Sequence, residues 1–148
     1  MEFVDSYSPL SPDDLAAVEA KIGRPLPEDY KSFLLKHNGG RPVLDGVRHN
    51  GEHFDFIGHF YAIRGEMYYN DLVRQIGEHE GMIPQGYLPI GESPGGDVFC
   101  LSLKEPTEGE VFHWDHEEAN YDGDPWEFNM TNLSPSLAAF LEGLCVGE

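Results

Sequence analysis

The chain has 148 residues and carries 27 Asp plus Glu against 9 Lys plus Arg, a formal net charge of −18. That length fits one domain, residues 1–148, able to bury a core of its own without staples. The charge repels nucleic-acid phosphates, no apolar run is long enough to cross a bilayer, and Met1-Glu2-Phe3-Val4-Asp5 lacks the parts of a signal peptide, so a cytoplasmic protein that binds neither nucleic acid nor membrane is expected.

In chain order, Ser11-Pro12-Asp13-Asp14 predicts a helix start: an N-cap, a proline in the first turn, then acids at the positive helix end. Leu15, Val18 and Ile22 follow at helical spacing, and Gly23 ends the helix. A second helix starts at Pro27-Glu28-Asp29. Its apolar face is Tyr30, Phe33 and Leu34, with His37 at its end, and Asn38-Gly39-Gly40 stops it. Residues 41–44 and 54–63 hold β-prone side chains, and Asp45-Gly46 and Asn50-Gly51 offer turn chemistry. A third helix is expected over 70–77, with Leu72, Val73 and Ile76 inward. Strands are expected near 87–91, 97–103 and 110–115, followed by a polar loop at 120–125. A last helix begins at Ser134-Pro135 and buries Leu137, Phe140, Leu141 and Leu144. Strands joined by short Gly-containing turns make an α+β fold: a largely antiparallel sheet packed with helices, two of them N-terminal and one C-terminal.

Four patterns suggest chemistry, and each is weakened by its own residues. Gly91-Glu92-Ser93-Pro94-Gly95 fits the G-x-S-x-G nucleophile elbow, but the alternating run Val98-Phe99-Cys100-Leu101-Ser102-Leu103 after it reads as a strand rather than a helix. Pro94 also has no N–H for the oxyanion hole. On a strand, His113 and Asp115 share one face and His116 takes the other. Two ligands on one face need partners from elsewhere, and no His or Cys pair lies at a matching spacing. Glu118, Asn120, Asp122 and Gly123 fall on the first positions of a calcium loop, but position twelve is Asn129 rather than Glu. His49, His53 and His59 have no nucleophile paired with them, and Cys100 and Cys145 read as free thiols. The aromatics Tyr61, Tyr68, Tyr69, Trp114 and Trp126 suit a core or an interface. No catalytic residue, cofactor or metal is expected.

The acids are unevenly spread. The segment 105–148 contains no Lys or Arg. Glu105, Glu108, Glu110, Asp115, Glu117, Glu118, Asp122, Asp124 and Glu127 lie along it and form a candidate surface for a basic protein partner.

Two stretches together resemble the SUKH superfamily. Leu26-Pro27-Glu28-Asp29-Tyr30-Lys31-Ser32-Phe33-Leu34, closing with Asn38-Gly39-Gly40, is similar to its opening helical motif. Met82-Ile83-Pro84 to Pro89-Ile90-Gly91, then Gly95-Gly96-Asp97-Val98-Phe99-Cys100-Leu101, then Gly109-Glu110-Val111-Phe112-His113-Trp114-Asp115-His116, resembles its central β motif. The resemblance covers residues 9–142. It implies an α+β fold, no catalytic residues and a protein-binding role. Bacterial members of that superfamily commonly neutralise a toxin, and a fungal branch contains a cell-wall assembly regulator. The expectation is therefore an immunity protein against a basic toxin domain, such as a nuclease. A non-toxin adaptor or regulator is the alternative.

Overall fold

A computed structural model describes residues 1–147. Ser11 caps helix α1 (Pro12–Ile22): its side chain accepts from the Asp14 N–H, while Asp14 accepts from the Ser11 N–H at 2.8 Å. Gly23 closes the helix at φ 77°, and Leu15 and Val18 point inward. Helix α2 (Glu28–Lys36) begins after Pro27 and buries Tyr30, Phe33 and Leu34. Phe33 packs edge-on against Phe60 at 5.0 Å, and His37 stacks on Phe3 at 4.2 Å. Side chains of this size each contribute about 1.5–3 kcal/mol when fully buried.

The stop after α2 has a specific geometry. Gly39 (φ 68°) and Gly40 (φ 102°) turn the chain where a Cβ would stand 2.6 Å from the Ala62 Cβ or 2.7 Å from the Val4 carbonyl oxygen. Between helix and turn, Asn38 is buried. Its Nδ2 donates to the Ser8 and Ile63 carbonyls at 2.9 and 3.0 Å, and its Oδ1 accepts from the Ile63 N–H at 2.8 Å.

Strand β1 (Phe3–Val4) pairs with β2 (Arg41–Pro42), and β3 (Gly46–His49) with β4 (Glu52–Phe56). The third sheet is an antiparallel meander of β5 (His59–Phe60), β6 (Tyr87–Glu92), β7 (Val98–Ser102), β8 (Val111–Trp114) and β9 (Met130–Ser134), in chain order. Pro89 sits beside an irregularity between β6 and β7, where a missing N–H is tolerated. Helix α3 (Leu72–Glu78) lies between β5 and β6, and α4 (Leu137–Glu142) follows β9. Alternation along the strands makes two apolar faces. Leu88, Ile90, Phe99, Leu101 and Val111 join the core beneath the helices, while Tyr87, Val98, Cys100, Phe112 and Trp114 form a second cluster covered by Ile83, Met82, Ala119 and Met130.

The architecture is the expected α+β arrangement, with local corrections. Gly46 opens β3 instead of turning with Asp45, because it pairs with Phe56 and bridges to Cys145. The β-prone stretch 54–63 is two strands, split at Ile57-Gly58. Strand β9 arises where no strand was expected. The last helix is capped by Ser136, because Ser134 is spent pairing with Val111. In α3 the buried pair is Leu72 and Gln75, with Val73 and Ile76 half-buried against the core; the Gln75 amide donates to the Tyr68 carbonyl at 2.9 Å. Among the described residues, no helix is long and apolar enough to cross a membrane.

Candidate functional site

The β6–β7 connection decides the role of Ser93. It is a five-residue turn between antiparallel strands, held by Ser93 N–H to Asp97 O (2.8 Å), Gly96 N–H to Ser93 O (3.1 Å) and Asp97 N–H to Ser93 Oγ (3.1 Å). Ser93 is buried and no helix follows it, so its hydroxyl stabilises the turn.

That turn delivers Asp97 to the end of β8. Asp97 Oδ1 accepts from the His116 backbone N–H at 3.1 Å and lies 2.6 Å from His116 Nδ1. Its other oxygen lies 3.3 Å from Nε2 of His113, which is itself buried. Asp55 reaches the same nitrogen from β4, at 2.9 Å. Burial pushes the Asp55 carboxyl up, but hydrogen bonds from His113 and the Phe56 N–H, with the His113 charge, outweigh it and hold the group below the usual aspartate value. The His113 ring lies edge-on to Phe54 and Phe99, at 4.8 and 5.4 Å. The partners that His113 lacked in the sequence are thus two carboxylates, 58 and 16 residues away along the chain.

Past Asp115 the chain forms a strap over the second apolar cluster. Asp115 caps a 3-10 turn (His116–Glu118) by accepting from the Glu117 N–H at 3.0 Å. Four side chains then fix the strap to backbone carbonyls: Tyr121 to His116 (2.8 Å), Trp126 to Glu118 (2.9 Å), Asn120 to Asp124 (2.8 Å) and Asn129 to Asp115 (2.8 Å). Its aromatic surfaces nonetheless face outward. Phe128 is 90% exposed, Tyr121 58% and Trp126 41%, and the Trp126 and Phe128 rings meet edge-to-face at 5.6 Å.

The nine acids singled out in the sequence divide by position. Glu105 and Glu108 lie in the β7–β8 connection, beside Glu28 and Asp29 of α2, and the Glu108 carboxyl next to Glu105 raises its acid above the usual value. Glu110 accepts from Asn132 at 2.6 Å. Asp115, Glu117, Glu118, Asp122 and Asp124 cluster beyond the other end of β8, about 17 Å away at strand rise. Glu127 is partly engaged: it accepts from the Tyr87 hydroxyl and pairs with Lys104 at 3.0 Å, which together hold its carboxyl below the usual glutamate value.

Of the five aromatics expected in a core or an interface, Tyr61 and Trp114 are core residues. His49 and His53 pack on Phe54 and Phe56 of their own hairpin, and His59 meets Glu92 at 3.3 Å. Phe128 and Tyr121 went unnoticed in the sequence, although large aromatics amid acids without a hydrophobic period are the signal of an exposed patch. The arrangement is a fixed acidic shelf carrying aromatic rings, which suits basic side chains: carboxylates for ion pairs and ring faces for cation–π contact.

The chain is 26% identical over 130 residues to the SPbeta prophage-derived uncharacterized protein YokK of Bacillus subtilis (strain 168), covering 76% of this chain and 65% of that protein. It is 31% identical over 83 residues to the uncharacterized protein YnaB of the same organism, covering 56% and 44%. The chain therefore spans less than two thirds of the length of these relatives. Residues 9–143 match the family described as SMI1 / KNR4 (SUKH-1), and the chain belongs to that family.

Proposed function

We propose that this chain is an immunity protein that binds and neutralises a toxin with a basic surface, docking it on the acidic and aromatic strap. The observation that carries the reading is Phe128, 90% exposed within a segment, residues 115–128, that holds six acids and no Lys or Arg. A lone exposed phenylalanine is ordinary. One that packs on Trp126, on a strap pinned by side-chain hydrogen bonds, is a preorganised anchor ringed by charge. Family membership supports the same role, since the SUKH family often supplies immunity proteins.

The test starts from partner identification by co-purification from the native cell. Replacing Glu117, Glu118, Asp122 and Asp124 by Lys should slow association with that partner by about tenfold or more and flatten its salt dependence. Phe128→Ala should weaken binding by about 30-fold, mainly through faster dissociation. The control places the same charge change on Glu2, Asp13, Glu66 and Glu142, exposed residues away from the strap. Equal rates and equal protection in co-expression for all three variants would remove the strap as the docking surface.

A further inference from the structure

We propose that Asp55, Asp97 and His113 form a binding site for one divalent transition-metal ion of the zinc type. Donor atoms of the three lie within 4.8 Å of one another, and they come from three separate places: β4, the β6–β7 turn and β8. His113 Nε2 stands 2.9 Å from Asp55 Oδ2 and 3.3 Å from Asp97 Oδ2. Ligands about 2.1 Å from a metal are separated by about 3.0 Å at right angles and about 3.4 Å at tetrahedral angles, so these spacings already match the edges of a coordination polyhedron. A single proton on Nε2 serves only one of the two carboxylates, whereas a cation serves both together with the nitrogen lone pair.

The ligand set is held from outside. Asp55 Oδ1 accepts from the Phe56 N–H at 2.7 Å, and Asp97 Oδ1 accepts from the His116 N–H, which turns both Oδ2 atoms toward the imidazole. Phe54 and Phe99 fix the ring plane and keep the surroundings apolar, which strengthens the attraction of a cation to the carboxylates. The Asp55 and Asp97 side chains remain 19% and 22% exposed, which provides an entry path. Three protein ligands with mixed nitrogen and oxygen donors suit zinc or a neighbouring ion and leave positions for water. A bound ion would fasten the β3–β4 hairpin to the five-stranded sheet. The neighbouring trio of Asp97, Asp115 and His116 is a poorer set, because the Asp97 oxygen nearest His116 is already engaged by two donors.

The proposal stands apart from partner binding and is tested without a partner. The chelator-treated chain is titrated with Zn2+ calorimetrically in about 0.15 M salt, where exposed carboxylates are screened. One ion per chain is expected, and a hundredfold excess over Kd should raise Tm by about 5–10 °C. Asp55→Asn and Asp97→Asn should each cost more than about 100-fold in affinity, beyond the loss of an outer hydrogen-bond partner, whereas Asp115→Asn should leave it unchanged. In unaltered protein labelled with nitrogen-15, Zn2+ should shift the His113 Nε2 resonance, a reading that does not depend on any variant folding. Weak binding of several ions, loss of binding in Asp115→Asn but not in Asp55→Asn, or an unmoved His113 resonance at saturation each overturns the proposal.

Discussion

Replacing Asn38 by Ala should be among the most damaging single changes in the chain, although Asn38 is polar and no larger than a leucine. Its side chain is 4% exposed and makes three hydrogen bonds to backbone, two of them to the N–H and carbonyl of Ile63 and one to the carbonyl of Ser8. At about 0.5–1.5 kcal/mol each, three such bonds contribute about 3 kcal/mol. Leaving both Ile63 groups unpaired in the interior moves the cost toward about 4 kcal/mol, a large share of the roughly 5–15 kcal/mol available to a domain. For a chain of this size that lowers Tm by about 6–16 °C. Urea unfolding followed by tryptophan fluorescence should show a midpoint lower by about 1–2 M with an unchanged slope. Asn132→Ala, an exposed asparagine whose side chain donates to Glu110, is the control and should cost less than about 0.5 kcal/mol. A loss below about 1 kcal/mol for Asn38→Ala would show that water replaces the amide, and the junction between the end of α2 and Ile63 would not depend on it.

Gly39→Ala should cost about 2–5 kcal/mol, because the new methyl meets Ala62 at 2.6 Å in a left-handed conformation. Gly109→Ala, at φ 86° with nothing within 4 Å, should cost only the conformational part, about 1–2 kcal/mol, and equal chemical-denaturation losses at the two sites would refute the contact. Glu127 ionises more readily in the folded protein than in the unfolded chain, because Tyr87 and Lys104 favour its anion. Its contribution is therefore present above the unfolded glutamate value and fades as pH falls through the lower folded one. Glu127→Gln should flatten the acid limb of a stability-against-pH curve by less than about 1 kcal/mol, since the side chain is half exposed, and an unchanged limb would contradict the pairing.

The helices were legible because their signals are local. Ser11-Pro12-Asp13-Asp14 carries its cap, its proline and its acids within four residues, and the structure uses each. The three central strands were legible for a similar reason: buried on both faces, they read as continuous apolar runs. Strand β9 was not, because Met130-Thr131-Asn132-Leu133-Ser134 has weak β character and becomes a strand only by pairing with β8. Gly46–His49 was hidden by its glycine, which accommodates the close approach of Cys145 rather than a turn. At the site, His113 and the acids past it could be named from the sequence. Their grouping could not, since Asp55 arrives from a different sheet and β8 divides the acids into two ends.

The order of strands in the meander also bears on self-association. A sheet adds foreign strands at its edges, and here the edges are β5 and β9. Strand β5 is two residues long and its Phe60 is already bridged to Gly40, so little free backbone is offered there. Strand β9 is followed at once by Pro135, which cannot donate to a growing ladder. With a net charge of −18 on every copy, approach of like chains is opposed before any backbone contact forms. The protein can thus display Phe128 and Trp126 on its surface while its sheet resists extension into fibrils.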